Sequence, residues 1–198
     1  YKAISIEGIT KIGAFDILYA REMGYRIKLL GIGKRAGERL DIRVHPTMLP
    51  VRHPLASVQN EFNAVMFTGD MTGPVSLNGR GAGSHPTASA VMSDIVQIAQ
   101  KTGSPGGAIR FRGEASYLLP GERLSRYYMR VHTEDSPGIL AKIAGVLSGY
   151  NISIASVIQH ETPQGADGVV PLVIMTHVAS PGAMDAVLDT IGRLPCVH

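Results

Sequence analysis

Two copies of one tripeptide constrain this chain more than anything in its composition. Ser136-Pro137-Gly138 is followed by apolar residues at Ile139, Leu140, Ile143, Ala144 and Leu147, and Ser180-Pro181-Gly182 by Ala183, Met184, Val187, Leu188 and Ile191. The copies start 44 residues apart, at positions 136 and 180, and their apolar positions coincide. Spacing of three and four marks one face of a helix. In each copy the serine suits the capping position and the proline the first helical one. Strand-like runs flank both: residues 127–133 before the first, 152–159 and 169–177 between them, and a brief 195–197 at the end. The order is β-α-β-β-α-β, which predicts a ferredoxin-like layer of four strands with both helices on one face.

The preceding residues read as a different kind of unit. Residues 10–24 (TKIGAFDILYAREMG) predict a helix capped by Thr10, with Ile12, Phe15, Leu18 and Tyr19 on one side and Gly24 at its end. Residues 26–32 and 39–45 predict an antiparallel pair around a turn at 34–37, with Leu40, Ile42 and Val44 on one face. His45-Pro46 and residues 50–54 are expected to break that pattern, and residues 57–62 to form a short helix. Residues 63–68 and 75–77 predict a hairpin around 69–73. A helix with Ala88, Val91, Met92, Ile95, Ile98 and Ala99 on one face follows and is expected to cover that sheet. The fold class is thus α+β, an antiparallel or mixed sheet covered by helices, ahead of the βαββαβ unit. Glycines and prolines in 101–124 predict a linker, which divides the chain into 1–103, 104–124 and 125–198.

Between the hairpin and the long helix lies Asn78-Gly79-Arg80-Gly81-Ala82-Gly83. Glycine permits positive φ and close approach to bare backbone, and a helix start offers unpaired N–H groups to phosphate or carboxamide oxygens. The spacing is not the dinucleotide fingerprint. Ser84 occupies the place of the third glycine, and no acid follows about 20 residues on. On pattern alone, a tight strand-to-helix turn without a ligand is equally well supported.

Composition excludes several function classes. The net charge of +3 comes without a basic run or basic-aromatic interleaving, which argues against nucleic acid. The single cysteine, Cys196, rules out an internal disulfide and fits a reducing, cytoplasmic setting. No apolar run reaches the ~18–20 residues that span a bilayer. Of the seven histidines, His45, His53 and His85 precede proline, and none is spaced for a metal. The opening at Tyr1, already inside structured pattern, suggests part of a longer protein.

Residues 130–154 (RVHTEDSPGILAKIAGVLSGYNISI) resemble an ACT domain, an amino-acid-sensing module. Residues 7–35 (EGITKIGAFDILYAREMGYRIKLLGIGKR), 53–65 (HPLASVQNEFNAV) and 79–99 (GRGAGSHPTASAVMSDIVQIA) resemble the C-terminal, catalytic and dimerisation region of homoserine dehydrogenase. The resemblance implies NAD(P)-dependent interconversion of aspartate semialdehyde and homoserine, on the route to threonine, methionine and isoleucine. It also implies that an N-terminal Rossmann domain holds the cofactor. Acidic side chains and a lysine in a preceding segment would bind homoserine and move the proton, so no catalytic residue is assigned here. Glu7, Lys11, Asp16 and Lys28 are expected to be solvated charges.

By the same resemblance, Gly83, with Ala82 and Ser84, reaches the nicotinamide end of the shared NAD(P), and Gly83→Val is the corresponding test. Asp135, Pro137, Gly138 and Ile139, with Asn151 from the next strand, are expected to bind an amino-acid effector, threonine, in a homodimer or homotetramer. The competing reading is a non-catalytic ACT sensor whose first half is only a dimerisation platform.

Overall fold

The computed structural model describes residues 4–101, 115–160 and 168–198. In chain order the elements are β1 (Ser5–Ile6), α1 (Ala14–Glu22), β2 (Tyr25–Ala36), β3 (Arg39–Pro50), β4 (Phe62–Gly69), β5 (Gly73–Arg80), α2 (Ser84–Lys101), β6 (Ser116–Tyr117), β7 (Tyr128–Glu134), α3 (Ile139–Gly149), β8 (Ile154–Gln159), β9 (Val169–Thr176) and α4 (Pro181–Gly192). Short 3-10 helices occupy Pro54–Ser57 and Pro120–Glu122. The described residues divide into two compact units: 4–19, 29–46, 115–160 and 168–198 in one, and 20–28 and 47–101 in the other.

In the first unit, β7, β9 and β8 form an antiparallel sheet in that order. The end of the chain adds a partial fourth strand beside β7, through a bridge between Thr133 and Val197 and bonds from Glu134 N to Cys196 O and from His198 N to His132 O. The predicted βαββαβ order is therefore present. Alternate residues of β7 and β9 (Met129, Val131, Leu172, Ile174) pack against Ile139, Ile143 and Leu147 of α3 and Met184, Val187 and Ile191 of α4. The same periodicities that identified the elements supply this core.

The repeat is less exact than the tripeptides suggest. Ser180 caps α4, its hydroxyl accepting from Ala183 N at 3.3 Å, and Pro181 takes the first helical position. Ser136 does not cap α3. Helix α3 begins later, at Ile139, after Gly138 in the left-handed region (φ 88°), with no side-chain cap. Ser136 instead gives its carbonyl to Ile139 N at 3.4 Å.

Several expectations for the earlier residues are corrected. Helix α1 starts at Ala14, because Thr10 lies in a turn and the capping acid is Asp16, which accepts Gly13 N at 2.8 Å. Its buried residues are Asp16, Tyr19 and Ala20, while Phe15 and Leu18 are exposed. Strand β3 does not break at His45-Pro46. The carbonyls of Leu40 and Val44 accept from Leu118 N and Glu7 N along one edge. Residues two apart point to the same side, so Pro46 aims its missing N–H at that edge beyond the paired stretch. The short helix lies at Pro54–Ser57, ahead of the expected 57–62.

In the second unit, β4 and β5 form the expected antiparallel hairpin, with Val65 opposite Leu77 and Phe67 opposite Val75. The apolar face of α2 does not cover it: Val91, Met92, Ile95 and Ile98 are 52–70% exposed, as are Val65, Phe67 and Leu77 at 51–63%. Most of the expected linker, residues 102–114, lies outside the described residues. After it, β6 joins the edge of β3 in parallel, at Arg39 and Leu40, just before β1 pairs at Arg43 and Val44.

Ile143 is fully buried between α3, α4 and the sheet. Ile143→Ala is expected to lower the stability of the first unit by about 2–5 kcal/mol, read as a fall in the urea midpoint of its unfolding. A change under about 0.5 kcal/mol, the range of a surface substitution, would contradict this account of the core.

Candidate functional sites: two helix-start cavities and a buried carboxylate

The first cavity, of about 340 Å³, lies at the start of α2 and is lined by Glu61, Arg80, Ala82, Gly83, Ser84, His85 and Pro86. Strand β5 runs unbroken through Asn78-Gly79-Arg80 and the chain turns at Gly81–Gly83. Gly83 has φ 113°, which strains any other residue. Its carbonyl accepts both Thr87 N (3.2 Å) and Thr87 Oγ1 (2.8 Å), which closes the first turn of α2. The amides of Ser84 and His85 have no acceptor within the helix, and Pro86 has no N–H. Arg80 supplies positive charge, partly answered by Glu61 at 3.7 Å. The chemistry suits a polar or anionic oxygen resting on bare backbone. Ala82, Gly83 and Ser84 thus line one cavity. The positive φ of Gly83 makes Gly83→Val ambiguous, since backbone strain alone would impair the variant.

The second cavity, also about 340 Å³, lies at the start of α3. The end of β7 (Thr133, Glu134), the loop Asp135–Gly138, and Ile139, Leu140, Gln159 and Leu172 line it. Helix α3 has no side-chain cap, and its first amides have no acceptor within the helix. The Asp135 carboxylate, also in the lining, accepts from Gln159 Nε2 at 3.5 Å. Paired N–H donors and a carboxylate complement the two ends of an amino acid. Asp135, Pro137, Gly138 and Ile139 are brought together here, and Asn151 is not. It follows the far end of α3, at φ 57°, roughly 16 Å of helix away. Gln159 was not singled out from the sequence, because its position at the end of β8 opposite Asp135 depends on sheet pairing.

Sequence reasoning also treated Asp16 as a solvated charge, and it is 4% exposed. Its Oδ1 accepts from Arg130 Nε and from Tyr128 Oη, both at 2.8 Å, and its Oδ2 from Gly13 N at 2.8 Å. Burial is the largest single influence and opposes ionisation. Arg130, the Gly13 amide and Tyr128 together outweigh it and hold the carboxyl below its usual range. Burial, then the bond to Asp16, pushes the Tyr128 hydroxyl well up. Lys28 is not free either, since it donates to the Val58 carbonyl. A second buried acid, Asp41, pairs with Arg123 at 3.0 Å and Arg43 at 3.6 Å. Arg123 also donates to the carbonyls of Ile42 and Leu118, tying residues 118–123 to β3. Among the described residues no three His, Cys, Asp or Glu side chains are grouped to hold a metal.

The family model for homoserine dehydrogenase matches residues 1–96, and that for the ACT domain residues 127–196. The chain belongs to the homoserine dehydrogenase family. It is 38% identical to homoserine dehydrogenase of Neisseria gonorrhoeae over its whole length, and 40% identical to that of Pseudomonas aeruginosa over 86% of it. The crystal structure of a homoserine dehydrogenase from Thiobacillus denitrificans superposes with a TM-score of 0.84 at 35% identity, covering all of this chain and 46% of that one. The chain spans about half the length of the curated relatives it matches, 47% and 41% of these two. Mixed parallel and antiparallel sheets followed by an ACT domain make up the shared part. No helix among the described residues is long and apolar enough to cross a membrane.

The Asp16 pair predicts a pH signature. Because the folded-state carboxyl is held low, its stabilisation is complete above the unfolded value of about 4 and is lost as pH falls through the depressed folded value. Asp16→Asn is expected to cost about 3 kcal/mol at pH 7, the low end for a broken buried pair, since Arg130 keeps 23% side-chain exposure. Urea denaturation of both proteins should show the gap closing below about pH 4. A gap independent of pH would refute the assignment.

Proposed function

We propose that the chain acts as the C-terminal portion of a cytoplasmic homoserine dehydrogenase, which interconverts L-homoserine and L-aspartate 4-semialdehyde with NAD(P). The observation that carries this reading is the agreement along the entire chain with homoserine dehydrogenases, in sequence and in fold. In this reading residues 1–103 form part of the catalytic and dimerisation region, 104–124 connect it to the next domain, with 116–123 tied to β3, and 125–198 form the regulatory ACT domain.

The glycine-turn cavity fits one end of the cofactor. Bare backbone at Gly83, two open amides at the start of α2 and a short side chain at Ala82 leave room for a carboxamide or phosphate oxygen. Nothing lining it is an acid placed to read a ribose hydroxyl except Glu61, which is engaged with Arg80. The dinucleotide, when bound, supplies or accepts the hydride. This chain's part is to hold its edge and exclude water there, while a Rossmann domain holds the rest. The groups that move the proton stand on the preceding part of the enzyme.

The exposed apolar residues of β4, β5 and α2 support assembly into a homo-oligomer, because contiguous apolar surface on a soluble protein marks an interaction site. The cavity at the start of α3 is read as an effector site for threonine. Its open amides would take the carboxylate, and Asp135 the ammonium group. Asn151, at the far end of α3, would meet such a ligand only from a second copy.

Two measurements test this reading. In the complete enzyme, Ala82→Leu fills the first cavity without the strain of a positive φ, since Ala82 is not among the positive-φ residues. It is expected to raise KM for the dinucleotide at least tenfold, about 1.4 kcal/mol, with KM for homoserine little changed. Unaltered dinucleotide kinetics would remove Ala82 and its neighbours from the cofactor site. Calorimetry of this chain with L-threonine is expected to show saturable heat that Asp135→Ala abolishes, and heat equal to dilution up to millimolar threonine would end the effector reading. The chain alone should leave the semialdehyde unchanged; turnover by the chain alone would overturn the division of labour.

A further inference from the structure

The sheet of β7, β9 and β8 has a second face, opposite α3 and α4. Alternation places Tyr128, Arg130 and His132 on it, opposite Met175, Val173 and Pro171 of β9. The core around the two helices contains Leu172 and Ile174 but neither Val173 nor Met175, yet those two are 0% and 5% exposed. Residues 14–19 of α1 make contacts on this side. Asp16 receives Tyr128 and Arg130, and the Tyr19 ring stacks on His160, just past β8, at 5.4 Å and 16°.

Strand β7 therefore carries two different things along its length. Tyr128 and Arg130 grip α1. Thr133 and Glu134, with Asp135 just beyond, line the cavity at the start of α3. Arg130 and Thr133 are separated by roughly 10 Å of strand. Arg130 Nη1 also bonds His132 Nε2 at 3.0 Å, which extends the polar network towards that cavity. A carboxylate held at once by a guanidinium, a phenol and a helix-start amide has little freedom. Displacing β7 by about 1 Å would lengthen bonds of 2.8 Å beyond hydrogen-bonding range. The strand and α1 must shift together, or a buried ion pair must break.

We propose that Asp16, through Arg130 and Tyr128, couples occupancy of the α3 cavity to helix α1. The proposal rests on the reading of that cavity as an amino-acid site. Asp16 is a positioning residue in this scheme and touches no ligand. Coupling of this kind is reciprocal, so whatever fixes α1 also changes the affinity of the cavity.

The test is hydrogen exchange on the full chain, free and saturated with L-threonine, with binding followed separately by calorimetry. Exchange in a peptide covering α1 is expected to change at least about fivefold on saturation, the lower range of a measurable coupling. Tyr128→Phe keeps the ion pair and the ring, and Asp16→Asn keeps the shape. Each should still bind threonine while the change at α1 falls below twofold. Should Asp16→Asn fold poorly, Tyr128→Phe and Arg130→Lys decide the matter. Threonine binding with no change at α1, or variants that respond like the parent, overturns the coupling and leaves the effector site intact. Absence of threonine binding overturns the effector reading and the coupling with it.

Discussion

Strand β9 is the element on which the first unit depends. It pairs with a strand on each edge, and Val170, Leu172, Val173 and Ile174 are at most 1% exposed. A strand buried on both faces must be apolar at consecutive positions, and VVPLVIM meets that condition. One face receives α3 and α4. On the other, Tyr128 and Arg130 of the neighbouring β7 hold the buried carboxylate of α1. With a protein layer on each side, β9 cannot slip register without exposing a full set of apolar side chains.

Both cavities are built from the same physical part, a helix start left without a side-chain cap. At α2 the residue before the helix is Gly83 and at α3 it is Gly138, both at positive φ. Helix α4 lacks this feature, because Ser180 satisfies the amide of Ala183. The two Ser-Pro-Gly copies have therefore diverged in use. One closes its helix end, and the other leaves its end open beside Asp135 and Gln159. In each cavity the backbone donors have positions set by helix geometry, with polar side chains beside them, Arg80 in one and Gln159 in the other.

The buried charges follow a different logic. Asp16 is matched to Arg130, Tyr128 and the Gly13 amide, and Asp41 to Arg123 and Arg43, as carboxylates withdrawn from water must be. Both join residues far apart in the chain: Asp16 to Arg130, and Asp41 to Arg123. Neither pair is visible as a local pattern. Asp16 on its own looks like a favourable acid in the first turn of a helix, and the structure shows it serving that role too, through Gly13.

The βαββαβ order, the hairpin of β4 and β5, the span of α2 and the glycine turn were all legible from local signals. Periodicity, capping residues and turn residues act over a few positions, and they report themselves in the sequence. Outside the βαββαβ unit, which apolar faces are covered was not legible. Phe15 and Leu18, and the stripe of α2, read as core and are exposed in this chain, while Asp16 reads as surface and is buried. Separation of Asn151 from Asp135, the pairing of Gln159 with Asp135, and the passage of β3 through Pro46 were equally hidden. The sequence by itself determined the elements and where a backbone could turn, because those depend on neighbours a few residues apart. Only the tertiary structure decided which side chains meet, because burial and pairing join residues far apart in the chain, from 24 positions for Asp135 and Gln159 to 114 for Asp16 and Arg130.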